Sequence, residues 1–118
     1  MQPVVLITGA LGGIGQAMCE RFTAGGWAVF GTDLNASALA ALQAEGKLAG
    51  AQAADIRKPD ACREVVAALL ASRGRLDALV NCAGVWREGP VESFSEEDFD
   101  IVLDVNLKAT FFMCSASI

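Results

Sequence analysis

A chain of 118 residues, 53% hydrophobic and 19% charged, has the apolar surplus of one domain built on a buried sheet, with no apolar run long enough to span a membrane. Nine basic residues against fourteen acidic ones give a net charge of −5 with no basic cluster along the sequence, which argues against nucleic acid and anionic membrane as partners. Cys19, Cys62, Cys82 and Cys114 form no C-x-x-C pair and histidine is absent, so no metal site is expected; the cysteines read as small buried hydrophobes in a reducing, cytoplasmic setting. The N-terminal apolar run has neither the basic flank nor the length of a signal peptide. Tyrosine is absent too, so neither histidine acid/base chemistry nor tyrosine proton donation is available within these residues.

The apolar run Val4 to Ile7 predicts a first strand, and Thr8-Gly9-Ala10-Leu11-Gly12-Gly13-Ile14-Gly15 a glycine loop. A helical stripe of Ile14, Ala17, Met18, Arg21 and Phe22 follows. Such a loop presents free backbone N–H groups and the positive end of a helix dipole, an anion site for phosphate or pyrophosphate. Its Gly-x-x-x-Gly-x-Gly spacing is neither Gly-x-Gly-x-x-Gly nor a P-loop. On its own the loop reads equally well as a tight turn without a ligand. Asp33 tilts the balance: it ends a second strand, Trp27 to Thr32, 24 positions after Gly9, near the roughly 20-residue spacing of an acid that accepts from adenosine ribose hydroxyls. A carboxylate there repels a 2′-phosphate, and Gly12, Leu34 and Asn35 offer no cation to neutralise one, so NAD is favoured over NADP. The competing reading of Asp33 is a turn residue or a cap for the next helix.

That helix spans Ala36 to Glu45 and stops at Gly46; an alanine-rich strand, Leu48 to Ala54, suits a sheet edge and ends in Asp55. Pro59 opens a helix with the stripe Cys62, Val65, Val66, Leu69 and Leu70, closed by Gly74. Asp77 to Asn81 reads as a fourth strand entering the small-residue turn Cys82-Ala83-Gly84, and Val85 to Phe94 as a loop. Ser95-Glu96-Glu97-Asp98 looks like a capping box for a long helix whose apolar face runs through Phe99, Val102, Leu103, Leu107, Phe111 and Met113 or Cys114. It reaches Ile118 without a stop signal, so residues 1–118 read as one domain cut within its last helix. Asn106 falls on the apolar face of this helix, where its amide needs partners. Strand and helix alternate, which predicts an α/β fold, a doubly wound parallel sheet with right-handed crossovers.

The glycine loop Thr8 to Gly15, the pair Asp55-Ile56, the turn Asn81-Cys82-Ala83-Gly84 and Asn106 together resemble the short-chain dehydrogenase/reductase family, over the whole chain but only the first half of the family's pattern. The resemblance implies strand order 3-2-1-4, with the ligand crevice between strands one and four. It implies an NAD(P) site formed by Gly9, Leu11, Gly13, Ile14, Gly15, Asp33, Leu34, Asp55, Ile56, Asn81, Ala83 and Gly84, with Asp55 meeting the adenine amino group. Asn106 matches a catalytic asparagine that holds a relay water and bends its helix; the plainer reading is an amide tying helix to sheet. Cys82 departs from the family's second asparagine.

The implied chemistry is hydride transfer between NAD and a carbonyl or alcohol on a small-molecule substrate. The family's serine, tyrosine and lysine are not found, so the chain alone is expected to be inactive. A homo-oligomer is expected from the open edge of strand four and from Phe111, Phe112 and Met113 on a helix that packs between subunits in the family. Two other functions fit less well, a stand-alone dinucleotide-binding or redox-sensing module and half of an NAD-dependent epimerase or dehydratase.

Overall fold

The computed structural model describes residues 1–118. Four parallel strands, β1 (Val4–Thr8), β2 (Ala28–Asp33), β3 (Gly50–Ala53) and β4 (Ala78–Asn81), form one sheet in the order β3-β2-β1-β4. Each crossover is a helix: α1 (Gly13–Ala24), α2 (Ala36–Ala44) and α3 (Pro59–Arg73). β1 is buried along its whole length because it has strands on both sides and helices on both faces. Its register aligns Leu6 with Phe30 and Leu79, and Thr8 with Thr32 and Asn81.

Alternation along the strands divides the core in two. Val4, Leu6, Ala28 and Phe30 pack on Cys62, Val65, Val66 and Leu69 of α3, whereas Val5, Ile7 and Val29 pack with Cys19, Leu39 and Leu48 on the opposite face. Each Val, Leu, Ile or Phe among them contributes about 1.5–3 kcal/mol by leaving water. The buried stripe of α3 stops at Leu69, and Leu70, predicted to belong to it, is largely exposed. In α1 the inward positions are Gly15 and Cys19 with Met18 and Phe22 beside them, while Ile14 is 75% exposed at the helix start.

β3 is shorter than its apolar pattern. Pairing with β2 runs only from Phe30 opposite Gly50 to Asp33 opposite Ala53, and single bonds from Ala49 N–H to Val29 and from Ala54 N–H to Asp33 flank the ladder.

After the 3₁₀ turn Val91–Ser93 comes α4 (Glu96–Leu103), capped as expected by the Ser95 hydroxyl, which accepts from Asp98 N–H at 3.1 Å. One π-helical turn, Asp104–Lys108, interrupts the expected continuous helix before α5 (Ala109–Ser117). The face that meets the core also differs from expectation. Met113 is fully buried and Phe112 packs beside it, whereas Phe99, Leu103, Leu107 and Phe111 point to solvent. This helix carries two apolar stripes, and the one with the small residues Ala109 and Ala116 lets its backbone approach α3 closely. Cys114, expected to be buried, lies on the exposed side.

Candidate functional site

The carboxyl ends of β1 and β4 are locked together. Gly9 has φ +62°, and a Cβ there would stand 2.8 Å from the backbone of Ala83; the Thr8 hydroxyl accepts from Ala83 N–H at 3.1 Å. A Cβ on Gly15 would lie 1.9 Å from the Gly9 carbonyl oxygen, so the loop can turn into α1 only with glycine at that position. Gly12 serves as N-cap, no side chain caps α1, and no acid occupies its first turn. The N–H groups at the helix start thus stay available to an anion.

Asp33, at the end of β2, holds this loop in place. Its Oδ2 accepts from Leu11 N–H at 3.0 Å and its Oδ1 from Leu34 N–H at 2.8 Å. The cap of α2 is Asn35, whose Oδ1 accepts from Ala38 N–H, and Asp33 takes no part in it.

Between these ends lies a cleft of about 300 Å³. Gly9, Asp33, Leu34, Asp55, Ile56, Ala83 and Gly84, all among the expected site residues, line it, joined by Gly12 of the glycine loop and by Arg57 and Val105, which sequence reasoning did not select. Leu11, Gly13, Ile14 and Gly15 stand outside its lining, in the loop and first turn beside Gly12. Asn81 is not drawn in: it faces α5, where its Nδ2 lies 3.7 Å from the Cys114 sulfur. A larger groove of about 720 Å³ between α1 and the turn after α2 has only Glu20 and Lys47 as charged groups and no convergent polar set, which makes the smaller cleft the candidate site.

At the far end of the cleft Asp55 is gripped by Arg57. Nε donates to Oδ1 at 2.9 Å and Nη2 to Oδ2 at 2.8 Å, while Arg57 N–H also reaches Oδ1 at 3.2 Å. This fork holds the Asp55 carboxyl below its ordinary range and raises the Arg57 guanidinium above its own. The only sequence signal for it was an arginine two positions after the acid. Just outside this end Arg57, Lys58 and Arg63, close together in sequence, are joined by the distant Lys108, with the acids Asp60 and Glu64 among them.

Asn106 lies in the π-helical turn and pairs through its amide with the backbone of Val85, the residue after Gly84. It is exposed and does not line the cleft, although its neighbour Val105 does.

A four-stranded parallel sheet in this order, with a glycine loop at the topological switch point and an acid at the end of the strand beside it, defines a doubly wound domain of the Rossmann kind. The family model described as short chain dehydrogenase matches residues 3–118, and the chain belongs to that family. It is 40% identical over 117 residues to the D-threitol dehydrogenase of Mycolicibacterium smegmatis, covering 96% of this chain and 45% of that one. With the gluconate 5-dehydrogenase of Gluconobacter oxydans it shares 36% over 115 residues, 94% of this chain and 45% of the relative. Among solved structures, a short-chain dehydrogenase/reductase from Brucella melitensis superposes with a TM-score of 0.90 at 30% identity, over 99% of this chain and 53% of the other. A blue fluorescent protein from a metagenomic library, in complex with NADPH, superposes at 0.85 with 30% identity, over 98% and 49%. The chain spans about half the length of the curated relatives it matches.

Proposed function

We propose that the chain forms the cofactor-binding part of an oxidoreductase that moves hydride between NAD and a carbonyl or alcohol on a small molecule. The observation that carries this reading is the Asp33 carboxylate at the lip of the cleft. Each of its oxygens already accepts one backbone N–H, which leaves about one further acceptor site on each, the number a ribose cis-diol requires. The uncapped start of α1, with Gly9, Leu11, Gly13, Ile14 and Gly15 around it, suits the pyrophosphate. Leu34, Asp55 and Ile56 would border the adenine, and Asn81, Ala83 and Gly84 the nicotinamide half, where the bound cofactor supplies the hydride chemistry.

NAD is favoured over NADP. No Lys or Arg stands at Gly12, Leu34 or Asn35, and Arg57 is committed to Asp55. Asn106, pinned to Val85, would act at the substrate end by fixing the turn after β4 and holding a relay water. With neither Tyr nor His among the 118 residues, the proton donor is not in this chain, which should not turn over alone. The exposed β4 edge and the outward stripe of α4 and α5 support a homo-oligomer, and the four free thiols a reducing, cytoplasmic setting.

Calorimetric titration with NAD and NADP tests the reading. NAD should bind more tightly and Asp33→Ala should narrow the gap; equal affinities in the unmodified chain would remove Asp33 from this role. Addition of NADH with simple ketones should leave the absorbance of reduced nicotinamide unchanged, and turnover by pure material would overturn the assignment of the proton donor elsewhere.

A further inference from the structure

We propose that Arg57 is a positioning residue that makes Asp55 a one-site acceptor, selecting an aminopurine over an oxopurine at the far end of the cleft. The inference rests on the dinucleotide reading above and adds to it the means by which the base is chosen. An ionised carboxylate offers about four acceptor directions. Arg57 takes three of them: its backbone N–H and Nε share Oδ1, and Nη2 occupies one side of Oδ2. One direction, on Oδ2, is left for a ligand. Asp55 and Ile56 both line the cleft, and the Asp55 side chain retains 26% of its exposure, so the carboxylate is open to a ligand there.

A lone acceptor site fits one N–H of an exocyclic amine. A ring carbonyl in the same place would set oxygen against oxygen, and the carboxyl could escape only by taking up a proton. The guanidinium opposes that protonation, and the fork stops the carboxylate from rotating a different edge toward the base. Lys58, just beyond the fork, and Asp104, in the π-helical turn, are the other charged groups acting on the pair. Adenine presents the amine, and hypoxanthine is its closest counterpart with a carbonyl.

The test compares calorimetric affinities for NAD and nicotinamide hypoxanthine dinucleotide in the unmodified protein, Arg57→Ala and Arg57→Lys, with thermal unfolding run on each. NAD should be preferred about tenfold or more, and both variants should lose at least threefold of that preference while still unfolding cooperatively. Lysine keeps the charge but lacks the two parallel donors, so it should not restore the ratio. An unmodified protein indifferent to the base, or a ratio unchanged in either variant, overturns the proposal while leaving NAD binding in place. Failure to bind either dinucleotide overturns the reading of the cleft itself and this proposal with it.

Discussion

Asn106 lays its amide along the backbone of Val85, with Oδ1 accepting from the Val85 N–H at 2.8 Å and Nδ2 donating to its carbonyl at 2.9 Å. The side chain thus acts like a strand neighbour for a loop that has none. The pairing joins the turn after β4 to the π-helical turn, where Ala109 N–H reaches back to the Asp104 carbonyl, and so fixes the loop on one side of the cleft. Asn106→Asp keeps the shape but loses the donor and sets a carboxylate against a carbonyl. We expect it to lower stability by about 1 kcal/mol, at the modest end for a hydrogen bond because the pair is reached by solvent. Urea denaturation with an unchanged slope measures the loss, and an unshifted midpoint would mean that the pairing does not hold the loop.

The glycines divide into two kinds, and the division yields a second prediction. Gly9 and Gly15 are needed for the turn itself, whereas a Cβ on Gly13 would meet no protein atom within 4 Å, and its φ is not positive. If the loop were only a tight turn, Gly13 would have no reason to be glycine. Gly13→Ala should raise stability by about 0.5–1 kcal/mol, the ordinary gain from alanine in a helix, while weakening NAD binding by tenfold or more. A variant that gains stability and binds NAD unchanged would show that the space above Gly13 is not used by the cofactor.

Fold and cleft differ in how far they could be read from sequence. β1, α3 and the helix start at Ser95 were legible because each has a local signature: an apolar run, a stripe after Pro59, and a hydroxyl three residues before a free N–H. The outward stripe of α4 and α5 was not, since periodicity identifies an apolar face but not which of two faces meets α3. Gly9, Asp33 and Ala83 followed from motif and order. Arg57 and Val85 were missed because each acts through another residue, Asp55 and Asn106, and a partner's identity is settled only when chain segments meet.

Acid should loosen the sheet at a definite point. Asp77 accepts from Val4 N–H at 2.8 Å and from two Arg75 donors, which pin the start of β1 beside β4 and hold the Asp77 carboxyl below its ordinary range, mainly through Arg75. A folded-state pKa below the unfolded value, about 3.9 for aspartate, gives stability that is present above that value and lost as pH falls through the folded one. Asp55 acts in the same direction. Urea midpoints should therefore be flat near neutrality and fall below about pH 4. Asp77→Asn should flatten that fall; an identical acid limb in the variant would deny Asp77 its share.

Thiol chemistry gives an independent view of the cleft. Burial, with a smaller effect of Cys82, pushes the Cys19 thiol up to about 11, and burial also raises Cys62. Iodoacetamide at about pH 8 should therefore label the exposed Cys114 first and Cys82 next, leaving Cys19 and Cys62 until the chain unfolds. Cys82 lines the cleft, so saturating NAD should slow its labelling and leave Cys114 unchanged, as read by peptide mass spectrometry. Labelling of Cys82 that ignores NAD would put the cofactor elsewhere.

The final prediction concerns assembly, for which two exposed surfaces are the candidates. β4 is an edge strand, and Ala78, Leu79, Val80 and Asn81 include no Pro or Lys to discourage pairing with another copy. Phe99, Leu103, Leu107 and Phe111 recur every four residues along the outward face of α4 and α5, with Phe111 64% exposed, an apolar patch that soluble monomers rarely present. Of the expected patch Phe111, Phe112 and Met113, only Phe111 stays exposed, because Met113 is buried and Phe112 packs on the core; the outward stripe takes the place of that patch. The chain should therefore run as a dimer or larger in size-exclusion chromatography with light scattering. The two surfaces are separable by mutation. Phe111→Glu places a charge within the helical stripe and leaves the β4 backbone untouched, so dissociation by this variant would locate the interface on the helix. Undiminished assembly would take the interface off this stripe and leave the β4 edge as the candidate, and a monomer at high concentration before any substitution would rule out both.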